Sequence, residues 1–454
     1  MKKNIITTKN PFSSQIIKAY AVLTDEEIDT LVNRGQDTFL NWKQTRFELR
    51  SDKMKKLAGI LRNNKESYAE TISAEMGKPV SQAIAEIEKC AWVCEYYAGN
   101  ASSFLSEEKI ITDASNSYVR FDPLGVILAV MPWNYPFWQV FRFAAPAIMA
   151  GNTVLLKHAT NVMGCAVRIE EVFHKAGFPE STFQNLIIPS NKVERIIAHK
   201  YVRAVTLTGS KPAGAAVASA AARHIKKSVL ELGGSNAFIV CNSAAIDHAV
   251  KIALNARFQN TGQSCIAAKR LLLQKDIADE FLDKFITGIK GFKNGDPLDK
   301  DTYIGVMARE DLAEELEHQL NESLKMGAQL LLGGKRKGTY FEPTVVTHAT
   351  MKMPVFKDET FGPLIGVATF EKLDEAIEIV NASEFGLGVS IFSEDVEEIQ
   401  HAIPQFQDGA VFVNDLVKSD PRLPFGGTKI SGFGRELGSF GIREFVNVKT
   451  VYYA

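Results

Sequence analysis

From residue 125 onward, short β-rich runs alternate with longer helical segments, and no other feature constrains the fold as strongly. The runs fall at 125–130, 153–157, 183–188, 203–208 and 228–230. Helix candidates lie between them at 137–150, 162–176, 191–199 and 211–224. Strand, crossover helix and strand in this rhythm predict a parallel sheet of βαβ units covered on both faces, so the class is α/β. A second αβ series starts at 236–240 and continues past Phe392. Residues 1 to about 105 read as mainly helical. Segments 26–42 and 46–61 repeat apolar residues at three and four positions, as in Leu49, Met54, Leu57 and Leu61. No repeat, low-complexity stretch or Pro/Gly linker divides the chain, which predicts tightly packed domains.

Composition narrows the function classes. The 454 residues carry 52 Lys+Arg against 53 Asp+Glu, a net charge of −1 that argues against nucleic-acid or other polyanion binding. No apolar run is long enough to span a membrane, since 125–138 is interrupted by Pro132, Asn134 and Pro136. The N-terminus lacks the apolar core of a secretion signal. Five scattered cysteines (Cys90, Cys94, Cys165, Cys241, Cys265) do not make a disulfide framework, so a cytoplasmic, reducing location is expected. Cys90 and Cys94 share a face of the 80–97 helix, which suits small core residues better than a metal site, and no metal is expected.

Four junctions are candidates for chemistry. At 205–214 a strand ends in a Gly-Ser turn, and a helix begins with Ser210 as N-cap and Pro212 in its first turn. Free amides at such a helix start suit a phosphate. Only Gly209 and Gly214 are present, however, so the stretch is not a G-x-G-x-x-G fingerprint, and a plain βα turn remains the alternative. Glu231-Leu232-Gly233-Gly234 closes the 228–230 strand, where a carboxylate is placed for acid–base work or for a salt bridge. Cys265 lies in a polar, Gly-bearing loop (258–270) whose surroundings can favour the thiolate, the nucleophilic form. Asn134, within Pro132-Trp133-Asn134-Tyr135-Pro136, can donate its amide to an oxyanion or simply pack in a rigid turn.

Together these stretches resemble the aldehyde dehydrogenase superfamily over essentially the whole chain. The resemblance rests on Glu75-Met76-Gly77-Lys78-Pro79, Pro132-Trp133-Asn134, Thr208-Gly209-Ser210, Glu231-Leu232-Gly233-Gly234, the Cys265 loop, Glu359-Thr360-Phe361-Gly362-Pro363 and Pro424-Phe425-Gly426-Gly427. It implies a Rossmann-like cofactor domain (1–104 and 122–232), an α/β catalytic domain (233–430) and a β-arm for oligomerisation (105–121 and 431–454), in a homodimer or homotetramer. By the family pattern, Cys265 attacks an aldehyde, Asn134 and the Cys265 amide hold the oxyanion, and Glu231 activates water to hydrolyse the thioester. The implied cofactor, NADP or NAD, would be held by Trp133, Lys157, Thr160, Gly209, Ser210, Gly214, Gly233, Glu359 and Phe361. NAD-preferring relatives often carry a glutamate three residues after the lysine. Here Lys157-His158-Ala159-Thr160 offers a hydroxyl that admits a 2′-phosphate.

For the substrate, Arg142 on an apolar helix is a buried cation that wants an anion. Its position resembles the substrate-carboxylate arginine of succinate-semialdehyde dehydrogenases, and 413–425 resembles the bacterial branch of that group. Trp138, Ser419 and Arg422 are the further substrate candidates. Some members carry a second arginine where this chain has Gln259, a role Arg257 or Arg422 would have to take over. The expected reaction is oxidation of a C4–C5 ω-semialdehyde, succinate semialdehyde first. Alternatives are a general or glutarate-semialdehyde enzyme, a non-redox cysteine hydrolase, or a silent structural protein on the same fold.

Overall fold

A computed structural model describes residues 4–454. The alternating runs form a six-stranded sheet in the order Gly432–Phe433, Lys227–Glu231, Val202–Thr208, Val126–Met131, Thr153–His158 and Phe183–Asn185. The strands between Val126 and Glu231 run parallel, and Gly432–Phe433 adds antiparallel at the Lys227–Glu231 edge. The chain steps outward from Val126–Met131 in one direction, then crosses back to Val202–Thr208 on its other side. That reversal opens a crevice at the carboxyl ends of these two strands, where α/β sheets bind ligands. The turns at Pro132 and Gly209 stand directly beyond it.

The second series builds a seven-stranded sheet ordered Gln329–Leu332, Thr344–Thr347, Leu364–Phe370, Ala268–Gln274, Asn236–Val240, Val389–Phe392 and Val411–Val413. It is parallel except for the first pair. Ala268–Gln274 is its central strand, so the loop that carries Cys265 is fixed at one end by the middle of a sheet. A third, antiparallel sheet pairs Asn116–Pro123 with Val446–Tyr453 along their whole length, flanked by Glu108–Lys109.

Two helices set the site between the large sheets. Trp138–Ala150 is buried at every position, because its residues are apolar on all sides except Gln139 and Arg142. Glu86, on the 25-residue helix Val80–Phe104, accepts from the amides of Phe137 and Trp138 at 2.9 and 3.0 Å. A carboxylate there satisfies orphan donors and complements the helix dipole. The N-terminal region, expected to be mainly helical, also contains strands. Ile5–Lys9 and Ile16–Ala21 form an antiparallel hairpin, because both segments begin with paired isoleucines and Asn10 closes the turn by accepting from the amides of Phe12 and Ser13.

Candidate active site

Two cavities meet at Cys265. A cleft of about 880 Å³ runs from the sheet crevice to the thiol, and a smaller cavity of about 170 Å³ lies on its other side. Cys265 and Gln139 are on both walls.

The loop that carries Cys265 is held in an unusual conformation. Asn260, Thr261 and Gly262 have φ of 55°, 54° and 73°, three left-handed residues in a row. A β-branched threonine resists that region, and such residues persist only where neighbours over-determine them. Asn260 Nδ2 donates to the carbonyls of Asn134 and Gln263 at 2.8 and 2.9 Å, and Thr261 Oγ1 accepts from Gly305 N at 3.0 Å. At Gly262 a Cβ would run into the Gly362 carbonyl. Asn260 thus ties the Asn134 turn to the Cys265 loop, so the two segments are positioned by one side chain.

Around the thiol, Asn134 is buried and donates one amide hydrogen to the Gln263 carbonyl at 3.2 Å, which leaves the other. Among the described residues the Cys265 backbone N–H has no hydrogen-bond partner. Asn134 and Cys265 line the same cleft, so these are two spare donors on the wall that carries the thiol. Burial raises the Cys265 pKa above the ordinary thiol value, while Lys269 and Arg142 pull it down. The expectation that polar surroundings favour the thiolate is therefore corrected: the enclosed resting site favours the thiol. Lys269 Nζ is fully buried and donates to the carbonyls of Gly234 and Cys265 at 2.5 and 2.8 Å and to Glu359 at 2.8 Å.

The large cleft fits a dinucleotide. Trp133, Lys157, Gly209, Ser210, Gly233, Glu359 and Phe361 are all on its wall. Trp133 and Phe361 meet edge to face at 5.6 Å near the thiol end. At the far end Lys157 is a buried cation whose ammonium has, among the described residues, the Ser190 hydroxyl at 3.2 Å as its one hydrogen-bond partner, and burial lowers its pKa. Glu194, on the same wall, is exposed and paired with Arg223 at 2.6 Å. The 13-residue helix Lys211–Arg223 starts at the cleft, with Ser210 as an N-cap whose side chain makes no capping bond. An unneutralised ammonium plus uncapped helix amides is a cradle for phosphates. Gly233 is required because a Cβ would collide with the Glu359 carboxylate.

Several sequence candidates sit elsewhere. Gly214 packs a helix against Leu232, whose Cδ2 lies 2.6 Å from where a Cβ would be, and is off the cleft wall. Thr160 is exposed in the 3₁₀ turn Thr160–Val162, and Ser190 takes the place beside Lys157. Arg422 is 65% exposed and paired with Asp420 at 2.7 Å, outside the small cavity. Arg257, the suggested substitute, donates to the Thr360 carbonyl at 3.1 Å and is likewise off that wall.

Trp138, Arg142 and Ser419 do line the small cavity. The anion that Arg142 wants is internal. Its guanidinium is ion-paired with buried Glu436, stacks on Phe425 with 4.6 Å to the ring centroid, and donates to Thr208 Oγ1 at 3.3 Å. Glu231 is buried within electrostatic reach of this pair, on neither cavity wall, and among the described residues its carboxyl oxygens have no hydrogen-bond partner. Burial, then the Glu436 charge, pushes its pKa well above the carboxylate range, and Arg142 opposes them. A carboxyl with that bias is a proton acceptor of high basicity once ionised.

The aldehyde dehydrogenase family model matches residues 1–451. A probable succinate-semialdehyde dehydrogenase (NADP+) of Synechocystis sp. is 47% identical over 99% of this chain and 100% of its own length. Succinate-semialdehyde dehydrogenase (NADP+) 1 of Mycobacterium tuberculosis is 45% identical, again over 99% and 100%. Among solved structures, the succinic semialdehyde dehydrogenase of Streptococcus pyogenes in complex with NADP+ superposes with a TM-score of 0.96 at 34% identity, over 98% of this chain and 99% of that one.

Proposed function

The chain belongs to the aldehyde dehydrogenase family, and on that premise we propose that it oxidises succinate semialdehyde to succinate, with NADP accepted in the large cleft and water completing the reaction. The observation that carries this is the meeting of the two cavities at Cys265, one fitted to a dinucleotide and the other small and bordered by the cations Lys89 and Arg142. The full-length relatives named for this reaction support it.

Cys265 gives up its thiol proton to solvent in the cleft, and the thiolate Sγ attacks the aldehyde carbon from the junction. The negative charge that develops on the carbonyl oxygen is received by the spare Asn134 amide hydrogen and the Cys265 N–H, donors already in place before charge appears. A bound nicotinamide dinucleotide supplies the hydride acceptor. Glu231 then takes a proton from water as it adds to the thioester carbon, and Cys265 leaves with the acid released. A carboxylate kept behind the thiol supports hydrolysis over transfer to another acceptor. Lys157 and Ser190 are the groups for a 2′-phosphate, Ser210 and Gly209 for the pyrophosphate, and Glu359 with Phe361 and Trp133 for the nicotinamide end.

The same reading assigns 1–104 and 122–232 to a cofactor domain, 233–430 to a catalytic domain, and 105–121 with 431–454 to an arm. Exposed Val448, Tyr452 and Tyr453 on the third sheet support pairing of arms in a homodimer or homotetramer. No helix of the described residues is long and apolar enough to cross a membrane, and all five cysteines are free, which supports a cytoplasmic enzyme.

Initial rates on succinate semialdehyde, glutarate semialdehyde and butanal, each with NADP and with NAD, test the assignment. The highest kcat/KM is expected for succinate semialdehyde with NADP. Butanal at equal or higher kcat/KM would refute the substrate, and a tenfold preference for NAD would refute the cofactor. Arg142→Met separates two roles. Because Arg142 holds the Glu231 pKa down, its loss is expected to slow butanal oxidation at neutral pH and to move the rising limb of the kcat–pH profile upward. A loss confined to the semialdehydes would return Arg142 to the role of carboxylate receptor.

A further inference from the structure

We propose that Lys89, presented by the helix Val80–Phe104 and hydrogen-bonded to Ser419, is the receptor for the distal carboxylate of the substrate. The inference deepens the substrate reading above and rests on it.

It begins from the charges around the small cavity. Lys78 and Glu86 are paired, and both are fully buried. Arg142 is paired with Glu436, and Asp420 with Arg422. Among the described residues Lys89, on the cavity wall, belongs to no ion pair. Asp420 and Glu86 act on its charge only from beyond ion-pair distance, and the remaining wall cation, Lys418, is paired with Asp415, so the Lys89 ammonium is the one an incoming anion would stabilise directly.

Ser419 supplies the second half of the receptor. Its Oγ accepts from Lys89 Nζ and from Trp138 Nε1, each at 3.0 Å. A hydroxyl oxygen has two lone pairs, and both are occupied, so the remaining function of Ser419 is to donate its own proton. A carboxylate oxygen, an acceptor only, matches an ammonium and a hydroxyl proton side by side. The Lys89 head also lies 4.3 Å from the Trp138 ring centroid, a cation–π contact that fixes it against the wall. Burial, reinforced by Arg142, lowers the Lys89 pKa to about 8, which still leaves it mainly protonated at neutral pH. Cys265 lines the same cavity. A short chain with an aldehyde at one end and a carboxylate at the other therefore has a reaction group and a receptor within one enclosure.

The experiment compares kcat/KM for succinate semialdehyde and butanal, a four-carbon aldehyde without the carboxylate, in the wild type, Lys89→Met and Lys89→Arg. Lys89→Met is expected to lose roughly 100-fold on succinate semialdehyde and less than about threefold on butanal, while Lys89→Arg recovers most of the semialdehyde rate. Retained butanal oxidation shows that the variant is folded. Should the methionine variant not fold, Lys89→Gln, which keeps a donor toward Ser419 without the charge, is expected to show the same selective loss. A semialdehyde preference that survives loss of the charge, or equal losses on both substrates, overturns the Lys89 assignment and leaves the substrate standing. A wild type with no preference for the semialdehyde overturns both.

Discussion

Cys265→Ala is expected to lower kcat/KM for aldehyde oxidation by about 10⁴-fold or more, with cofactor affinity unchanged within about twofold. The substitution removes a single sulfur from a half-buried position and leaves the loop's anchors, Asn260 and Thr261, untouched. Formation of the reduced cofactor, followed by its absorbance, and fluorescence titration of NADP check the two halves of the statement. Substantial turnover in the variant would remove Cys265 as the nucleophile. A thiol-directed reagent offers an independent reading, because Cys90, Cys94, Cys165 and Cys241 are buried and Cys265 alone is partly accessible. Alkylation of the native enzyme should stop at one equivalent per chain and should accelerate as pH rises. The sign follows from the raised thiol pKa: ionisation begins above the ordinary range, so the reactive thiolate fraction grows through alkaline pH.

What the sequence revealed and what it concealed divide along physical lines. The βαβ rhythm was legible because buried parallel strands are written as short continuous apolar runs, and each run from 125 to 230 became a strand within a residue or three of its expected ends. The Ile5–Lys9 hairpin was not, since short strands on a helical layer carry little periodicity. Proposed site residues that sit in local motifs, such as Asn134, Ser210, Glu231 and Cys265, could be singled out from their own neighbours. Residues whose role depends on a partner far along the chain could not. Arg142 looked like a free cation because nothing near it announces Glu436, which is brought in across 294 residues by the return of the chain through Gly432–Phe433 to the edge of the first sheet. Arg422, by contrast, has its partner two residues away in Asp420, a local pairing that could have warned against assigning it to substrate. Gly214 shows the same limit from the other side: a glycine near a phosphate loop is there to let Leu232 approach. Lys89, Lys269, Ser190 and Asn260 acquire meaning only from tertiary neighbours. Lys269 and Asn260 also carried a local hint, four residues after and five before Cys265.

Glu231→Gln is expected to separate acylation from hydrolysis. The variant should release close to one equivalent of reduced cofactor per active site in a burst and then turn over roughly 10²- to 10⁴-fold more slowly than the wild type, because the amide cannot take the proton of the attacking water. The wild-type pH dependence carries the same information. Among the described residues the Glu231 carboxyl oxygens have no hydrogen-bond partner to stabilise a charge, and burial together with Glu436 raises the pKa, so at low pH the group is a carboxylic acid and idle as a base. Hydrolysis should therefore strengthen as pH rises through that elevated pKa, and the rise should vanish in the glutamine variant while the burst persists. Glu436→Gln offers a check on the cause. Removing that carboxylate takes away a like charge and frees Arg142 to act on Glu231 alone, so the rising limb should move to lower pH. A glutamine variant at position 231 that hydrolyses its thioester at the full rate would show that the proton is accepted elsewhere. A burst that disappears along with steady turnover would place Glu231 before the thioester, in the step that forms it.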